Sequence, residues 1–205
     1  MFFALAGVAA VLNWVAVERK NKAVEYFAKP ATTALLIGAA LALQPNNDAE
    51  RAWFVAALAL CLVGDVFLML PRDLFVPGLA SFLLGHICFF VGFMASNPDP
   101  PVAFYPAALL VTLAIPRIAA PVVRGARAQD RALVPPVIAY ITILLVLLIA
   151  SLATGRWVAI AGAFVFVTSD TILANNRFVR PLPHGHLATM VTYHAALALL
   201  VLSLI

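Results

Sequence analysis

Charge is what this chain has least of. Asp, Glu, Lys and Arg together make up 11% of its 205 residues, against about a quarter in soluble domains. With 64% hydrophobic residues and a mean hydropathy of +1.04, too little polar surface is left to cover a water-soluble core, so a polytopic membrane protein is expected. Cysteine is nearly absent too: Cys61 and Cys88 lie inside separate apolar runs, which excludes a disulfide framework and leaves them as small packing residues. No nucleophile elbow, Gly-rich phosphate loop or His-Glu-x-x-His helix occurs, which removes the usual serine-hydrolase, nucleotide and zinc-protease readings. His184 and His186 have no cysteine, third histidine or nearby carboxylate in sequence to complete a ligand set, so neither a metal nor a cofactor is expected. The amino terminus enters an apolar run without a basic preceding stretch or a small-residue cleavage site, so it is read as a retained first span.

What is present is apolar runs, broken by charge or by Pro/Gly clusters. They predict eight helices at about 2–17, 30–44, 51–70, 75–95, 102–120, 133–151, 155–175 and 187–205, most of them of bilayer-spanning length. The net charge of +4 would suggest a nucleic-acid partner for a soluble domain. Here the basic residues fall in short loops and report topology instead, so no nucleic-acid partner is expected. Eleven of the 13 Lys and Arg residues lie in the odd-numbered loops, against only Arg51 and Arg156 in the others. The positive-inside rule then puts the odd loops in the cytoplasm and both termini outside, as expected for a bacterial inner-membrane protein.

Two acids stand apart from the loops. Asp65 in Leu62-Val-Gly-Asp-Val-Phe-Leu-Met-Leu70 and Asp170 in Val167-Thr-Ser-Asp-Thr-Ile-Leu173 share a pattern of small residue, Asp, two residues, Leu. Each lies about five residues before the cytoplasmic end of its predicted helix, hence at one depth. The halves, about 1–100 and 101–205, also match in Lys29-Pro30 against Val134-Pro135-Pro136, and in Gly85-His86 against Tyr193-His194. The expected fold is therefore an all-α, single-domain bundle of eight transmembrane helices built as a 4+4 parallel internal repeat, with a site drawing on both halves.

An ionised carboxylate in a bilayer is costly and generally marks a site or a pathway. Two that approach each other can share a proton, offering an acid and a base together. Around them the sequence supplies His86, Tyr193, His194, Tyr140 and Ser169 as supporting groups. His86 is expected to orient Asp65, and Tyr193 or His194 to do so for Asp170. Lys29, with Thr33, reads either as a snorkelling helix-end cation or as an anchor for a lipid phosphate. Asn175 reads as a helix cap or a further head-group contact. A proton-coupled carrier is the alternative for such an acid pair, but the polar residues crowd the cytoplasmic half and leave the outer half almost wholly apolar.

Lys29-Pro-Ala-Thr-Thr33, Gly64-Asp-Val-Phe-Leu-Met69, Gly78-Leu-Ala-Ser-Phe-Leu-Leu-Gly-His86, Ser169-Asp-Thr-Ile-Leu-Ala174 and Thr192-Tyr193 resemble the YhhN-like lysoplasmalogenase family of integral membrane proteins. The resemblance runs over almost the whole chain. It implies eight helices and hydrolysis of the vinyl ether bond of a lysoplasmalogen to a fatty aldehyde and glycerophospho-ethanolamine or glycerophospho-choline. Asp65 and Asp170 would be catalytic, without a metal, and the partners would be a lysophospholipid substrate and membrane lipids, with no obligate protein partner. One departure is Leu197, where an amide is common in the family one turn beyond the tyrosine; His194 is the polar group nearby.

Overall fold

The computed structural model describes all of residues 1–205 and is helical throughout. Its elements are α1 (Phe2–Glu18), α2 (Lys22–Ala42), α3 (Asp48–Met69), α4 (Phe75–Ala95), α5 (Phe104–Gln129), a 3-10 turn at Arg131–Leu133, α6 (Val134–Ala153), α7 (Trp157–Phe178) and α8 (Gly185–Leu202). By length and composition, the six helices from α3 to α8 can each cross a membrane, and α1 is a shorter apolar helix. The chain is an integral membrane protein.

Two helices differ from the expected boundaries. The second was expected to open at Pro30, but α2 begins at Lys22, where the Asn21 side chain caps it by accepting from Val24 N at 3.3 Å. Pro30 is therefore inside the helix and Lys29 lies two turns deep, on a buried face with Thr32 and Thr33. The fifth was expected to stop near residue 120, yet α5 runs through Pro116 and Pro121 to Gln129. Proline costs a helix its regular hydrogen bonds. Pro116 and Pro121 leave the carbonyls of Thr112 and Arg117 without their i+4 donors, a local loss that the long apolar run of α5 tolerates.

The closest helix pairs are α3 with α4 and α7 with α8, while α4 also lies against α6, and α8 against α1 and α2. Small residues set the first of these contacts. A Cβ at Gly85 would stand 3.2 Å from both Ala57 O and Cys61 Sγ, so a glycine there lets α4 close onto α3 and carries the next residue, His86, into the centre. At the end of the bundle away from the α3–α4 loop, Phe54 meets Phe89 and Phe93 edge to face, with ring centroids 5.0 and 5.3 Å apart. Beside this aromatic plug, buried Glu50 on α3 is paired with Arg156 at the start of α7, through Nη2 to Oε1 and through Nη1 to Oε2 at 3.1 Å. Arg156 Nη1 also donates to Ser203 O at 2.8 Å. Together they bind the amino ends of α3 and α7 to the carboxyl end of α8.

Candidate active site

Asp65 and Asp170 are 1% and 8% exposed, and both line one cleft of about 470 Å³ that opens among the start of α2, the α3–α4 loop, the end of α7 and the start of α8. The cleft's ends are the odd loops of the chain.

Asp65 is surrounded by donors. Thr33 Oγ1 donates to its Oδ2 at 2.9 Å, Tyr193 OH to the same oxygen at 2.8 Å, and Lys29 Nζ stands 3.2 Å from Oδ1. An ammonium and two hydroxyls suit an acceptor-only group, so this is the environment of a carboxylate paired with a buried cation.

Asp170 has no cation beside it. Tyr140 OH donates to Oδ2 at 2.7 Å, and His86 Nε2 lies 3.7 Å from that oxygen. The tautomer of His86 is set from behind: Nδ1 is 2.6 Å from Phe82 O, a carbonyl that can only accept, so Nδ1 carries hydrogen. A neutral His86 then turns a bare lone pair, without any other partner, toward Asp170. Two lone-pair-bearing groups facing each other in a buried site repel, and a single proton between them removes the repulsion.

The partners are thus crossed between the halves, contrary to the expected pairing of His86 with Asp65 and Tyr193 with Asp170. The fourth helix, α4, delivers His86 to Asp170 on α7, and α8 delivers Tyr193 to Asp65 on α3. This follows from packing: α4 lies against α6 and α8 against α2, so each reaches across to the other half. Phe166 lies against a ring of each set, 4.5 Å from that of His86 and 5.7 Å from that of Tyr193.

His194 is not part of either set. Its Nδ1 accepts from Trp14 Nε1 at 3.0 Å, a partner on α1 that no pattern in the sequence pointed to. Ser169 lines the cleft but donates to Thr189 O at 3.1 Å, which joins α7 to α8. The three residues expected at a head group are engaged elsewhere. Lys29 and Thr33 are held by Asp65, because the earlier start of α2 sinks them two turns, and Asn175 Nδ2 donates to Thr171 O at 2.8 Å within its own helix.

A second hollow meets Asp170 from the side. It runs between α5, α6 and α7, and 14 of its 16 lining residues are hydrophobic, among them Ile118, Val122, Leu144 and Val167. Its polar members are Asp170 and Thr171. Asp170 therefore stands where an apolar groove open to the lipid side meets a polar cleft with Lys22, Arg72 and Arg177 at its mouth. No group of three or more His, Cys, Asp or Glu residues is arranged to hold a metal ion.

The sequence profile of the YhhN family matches residues 24–204. The human lysoplasmalogenase TMEM86B is 38% identical over 150 residues, covering 72% of this chain and 61% of that protein. The mouse TMEM86B is 35% identical over 155 residues, 74% of this chain and 63% of its own. A lysoplasmalogenase of Mycobacterium bovis is 30% identical over 154 residues, 73% and 58% respectively. The chain thus spans about three fifths of the length of these relatives. No solved structure matches.

Proposed function

The chain belongs to the YhhN family, and on that premise we propose that it hydrolyses the vinyl ether bond of a lysoplasmalogen, releasing a fatty aldehyde and a glycerophospho-ethanolamine or glycerophospho-choline. One observation carries this reading: Asp170 lies at the junction of an apolar groove and a polar cleft lined by charged residues. A vinyl ether in such a lipid is itself the junction between alkenyl chain and glycerophosphate, so chain and head group each find matching surroundings when the scissile bond reaches Asp170. The names of the relatives point the same way.

The chemistry asks for a proton on the β-carbon, a negative charge to stabilise the oxocarbenium ion and one water, a division of labour like that of paired carboxylates in glycosidases. The surroundings of the two acids support one division of roles. Asp170, which faces the His86 imidazole and has no cation, is the acid; Asp65, matched to Lys29, is the base. Asp170 protonates the β-carbon and the cation forms at the ether carbon. Asp65 stabilises it and takes a proton from the water that adds there, giving a hemiacetal. Protonated Asp65 then returns its proton to the departing glycerol oxygen, while Asp170 takes the hemiacetal hydroxyl proton. The C–O bond breaks, aldehyde and alcohol leave, and both acids regain their starting states.

The same reading makes the two halves a 4+4 repeat of eight spans, with the cleft toward the cytoplasm and both termini outside. The reciprocal donation of His86 and Tyr193, and the loading of Lys and Arg into the odd loops, support it. The aromatic plug of Phe54, Phe89 and Phe93 at the far end favours a site reached from one side over a carrier that must open to both.

The test is hydrolysis in D2O of an alkenyl glycerophosphoethanolamine by the detergent-purified protein, with the aldehyde trapped as it forms. One deuterium on the carbon next to the carbonyl is expected. Release of no aldehyde defeats the assignment, and release of unlabelled aldehyde defeats the protonation step.

A further inference from the structure

The cleft's charges can be paired off almost completely. Among its lining residues Lys22 Nζ is 2.8 Å from Glu25 Oε2, Lys29 Nζ is 3.2 Å from Asp65 Oδ1, and Arg177 Nη2 is 2.6 Å from Asp73 Oδ2. His186 Nε2 also faces Glu25, at 3.6 Å. Two charged-type residues remain without an ionic counterpart of opposite sign: Asp170 at the floor, whose neighbours are Tyr140 and His86, and Arg72 at the mouth. Arg72 is exposed on the short connection between α3 and α4 and has no side-chain hydrogen bond or salt bridge, although Asp73 is its neighbour in sequence. That carboxylate turns instead to Arg177, whose guanidinium also lies 5.0 Å from the centroid of the Phe75 ring.

A free guanidinium at the rim of a cleft is a fork of donors with nothing to hold. Beside it α4 begins at Phe75, whose N–H faces the Asp73 carboxylate, and Leu74 and Phe75 both line the cleft. The helix start has few donors to add, since Pro77 lacks an N–H and Gly78 N donates to Leu74 O at 3.0 Å. Arg72 is therefore the group at this rim with donors to offer, and planar, bidentate recognition of a phosphate is what a guanidinium does best.

We propose that Arg72 binds the phosphate of the lysophospholipid at the cleft mouth, and that Lys29 does not. The assignment rests on the hydrolase reading for the identity of the lipid, but its chemistry is that of any phosphate-bearing lysolipid entering this cleft. It separates two cations that the sequence cannot tell apart. Lys29 is a positioning residue for Asp65, whereas Arg72 touches substrate and sets the requirement for a phosphate.

The experiment compares two uncleavable ligands, a 1-alkyl glycerophosphoethanolamine and the matching 1-alkylglycerol, which differ only in the phosphate head. Binding to the detergent-purified full chain is measured for wild type, R72Q and R72K. Wild type should prefer the phosphate-bearing ligand by about tenfold or more, R72Q should lose that preference, and R72K should keep part of it. Affinity for the alkylglycerol should be the same in all three. An undiminished phosphate preference in R72Q, or an equal loss of affinity for both ligands, overturns the proposal.

A parallel assay uses the cleavable alkenyl lipids. R72Q should raise KM for the phospholipid with little change in kcat, and leave the alkenylglycerol unaffected. If the binding preference depends on Arg72 but wild type releases no aldehyde from either lipid, the phosphate site stands and the hydrolase reading falls. If wild type cleaves both lipids with equal KM, the hydrolase reading stands and the phosphate site falls.

Discussion

Asp65 on α3 and Asp170 on α7 stand in matching stretches of sequence, each following a small residue and preceding a leucine by three, yet their surroundings differ by one cation. Asp65 has an ammonium and two hydroxyls within hydrogen-bonding or ion-pairing reach. Asp170 has one hydroxyl and an imidazole lone pair. A carboxylate in a low-dielectric interior is stabilised by the first set, whereas in the second one hydroxyl bond is opposed by a facing lone pair. The same side chain, placed twice by similar sequence, thereby sits in two different environments, and the difference is written in what α2 and α6 contribute: Lys29 and Thr33 from one, Tyr140 from the other.

The most direct way to break this comparison is to remove each acid in turn. Asp170→Asn and Asp65→Asn should each lower kcat by about 10³-fold, the scale of a lost acid or base at a buried centre. Folded yield should hold for Asp170→Asn, which leaves no charge unpaired. Asp65→Asn strands the Lys29 ammonium and should cost yield or thermal stability. Equal stability of the two variants would remove the distinction between a paired and an unpaired acid.

The next largest effect lies in the ion pair itself. Lys29→Met leaves a buried carboxylate without its cation, and breaking one partner of a buried pair costs about 3–5 kcal/mol. The double variant Lys29→Met with Asp65→Asn should recover much of that loss in a thermal melt while remaining inactive. If the single variant melts like wild type, Lys29 is not a structural counter-ion and the Asp65 environment has been misjudged.

Most of the helices and both acids were legible in the sequence, because apolar length and intramembrane charge are strong signals. Their partners were only half legible. His86, Tyr140 and Tyr193 stood out as polar residues in apolar runs, but which acid each would meet depended on α4 crossing to α6 and α8 to α2, and no local pattern encodes that crossing. Lys29 was placed at the surface because Pro30 looked like a helix start. Asn21, with its capping side chain and Glu25 in the following turn, was the signal for the true start. Arg156 was visible only as one of two cations outside the odd-numbered loops, and its pairing with Glu50 joins residues 106 apart in the chain and needed the fold. Trp14 gave no sign of its role, since α1 is apolar all round and its one hydrogen bond is to α8.

A finer comparison uses the two tyrosines, which donate equally short hydrogen bonds to different acids. Tyr140→Phe removes the sole hydroxyl donor of Asp170, whereas Tyr193→Phe leaves Asp65 with Thr33 and Lys29. One lost hydrogen bond is worth about 1 kcal/mol, so Tyr140→Phe should reduce kcat by about tenfold and Tyr193→Phe by less. The reverse order in a side-by-side assay would mean that Asp65, not Asp170, depends on its tyrosine for the acid step.

The smallest effect is expected where an ion pair is not buried. Asp73 and Arg177 join the α3–α4 loop to the end of α7 at the cleft mouth, as Lys29 and Asp65 join α2 to α3 beneath it, but both side chains are open to water. The hydrogen bond from Arg177, and secondarily its charge, hold the Asp73 carboxyl below the usual carboxylate value against a small opposing effect of burial. A carboxyl whose folded value is depressed adds stability above its unfolded value, about 3.9, and that increment is lost as pH falls through the depressed folded value. Asp73→Asn should therefore lower the melting temperature slightly at pH 7, and the gap from wild type should close once the pH drops below about 4. High salt should shrink it as well, because exposed pairs are screened. Salt should not rescue Lys29→Met, since its pair is almost wholly buried; if salt reduced both defects alike, the two pairs would have to be equally wet, and the contrast between a sheltered Asp65 and an open rim would fail.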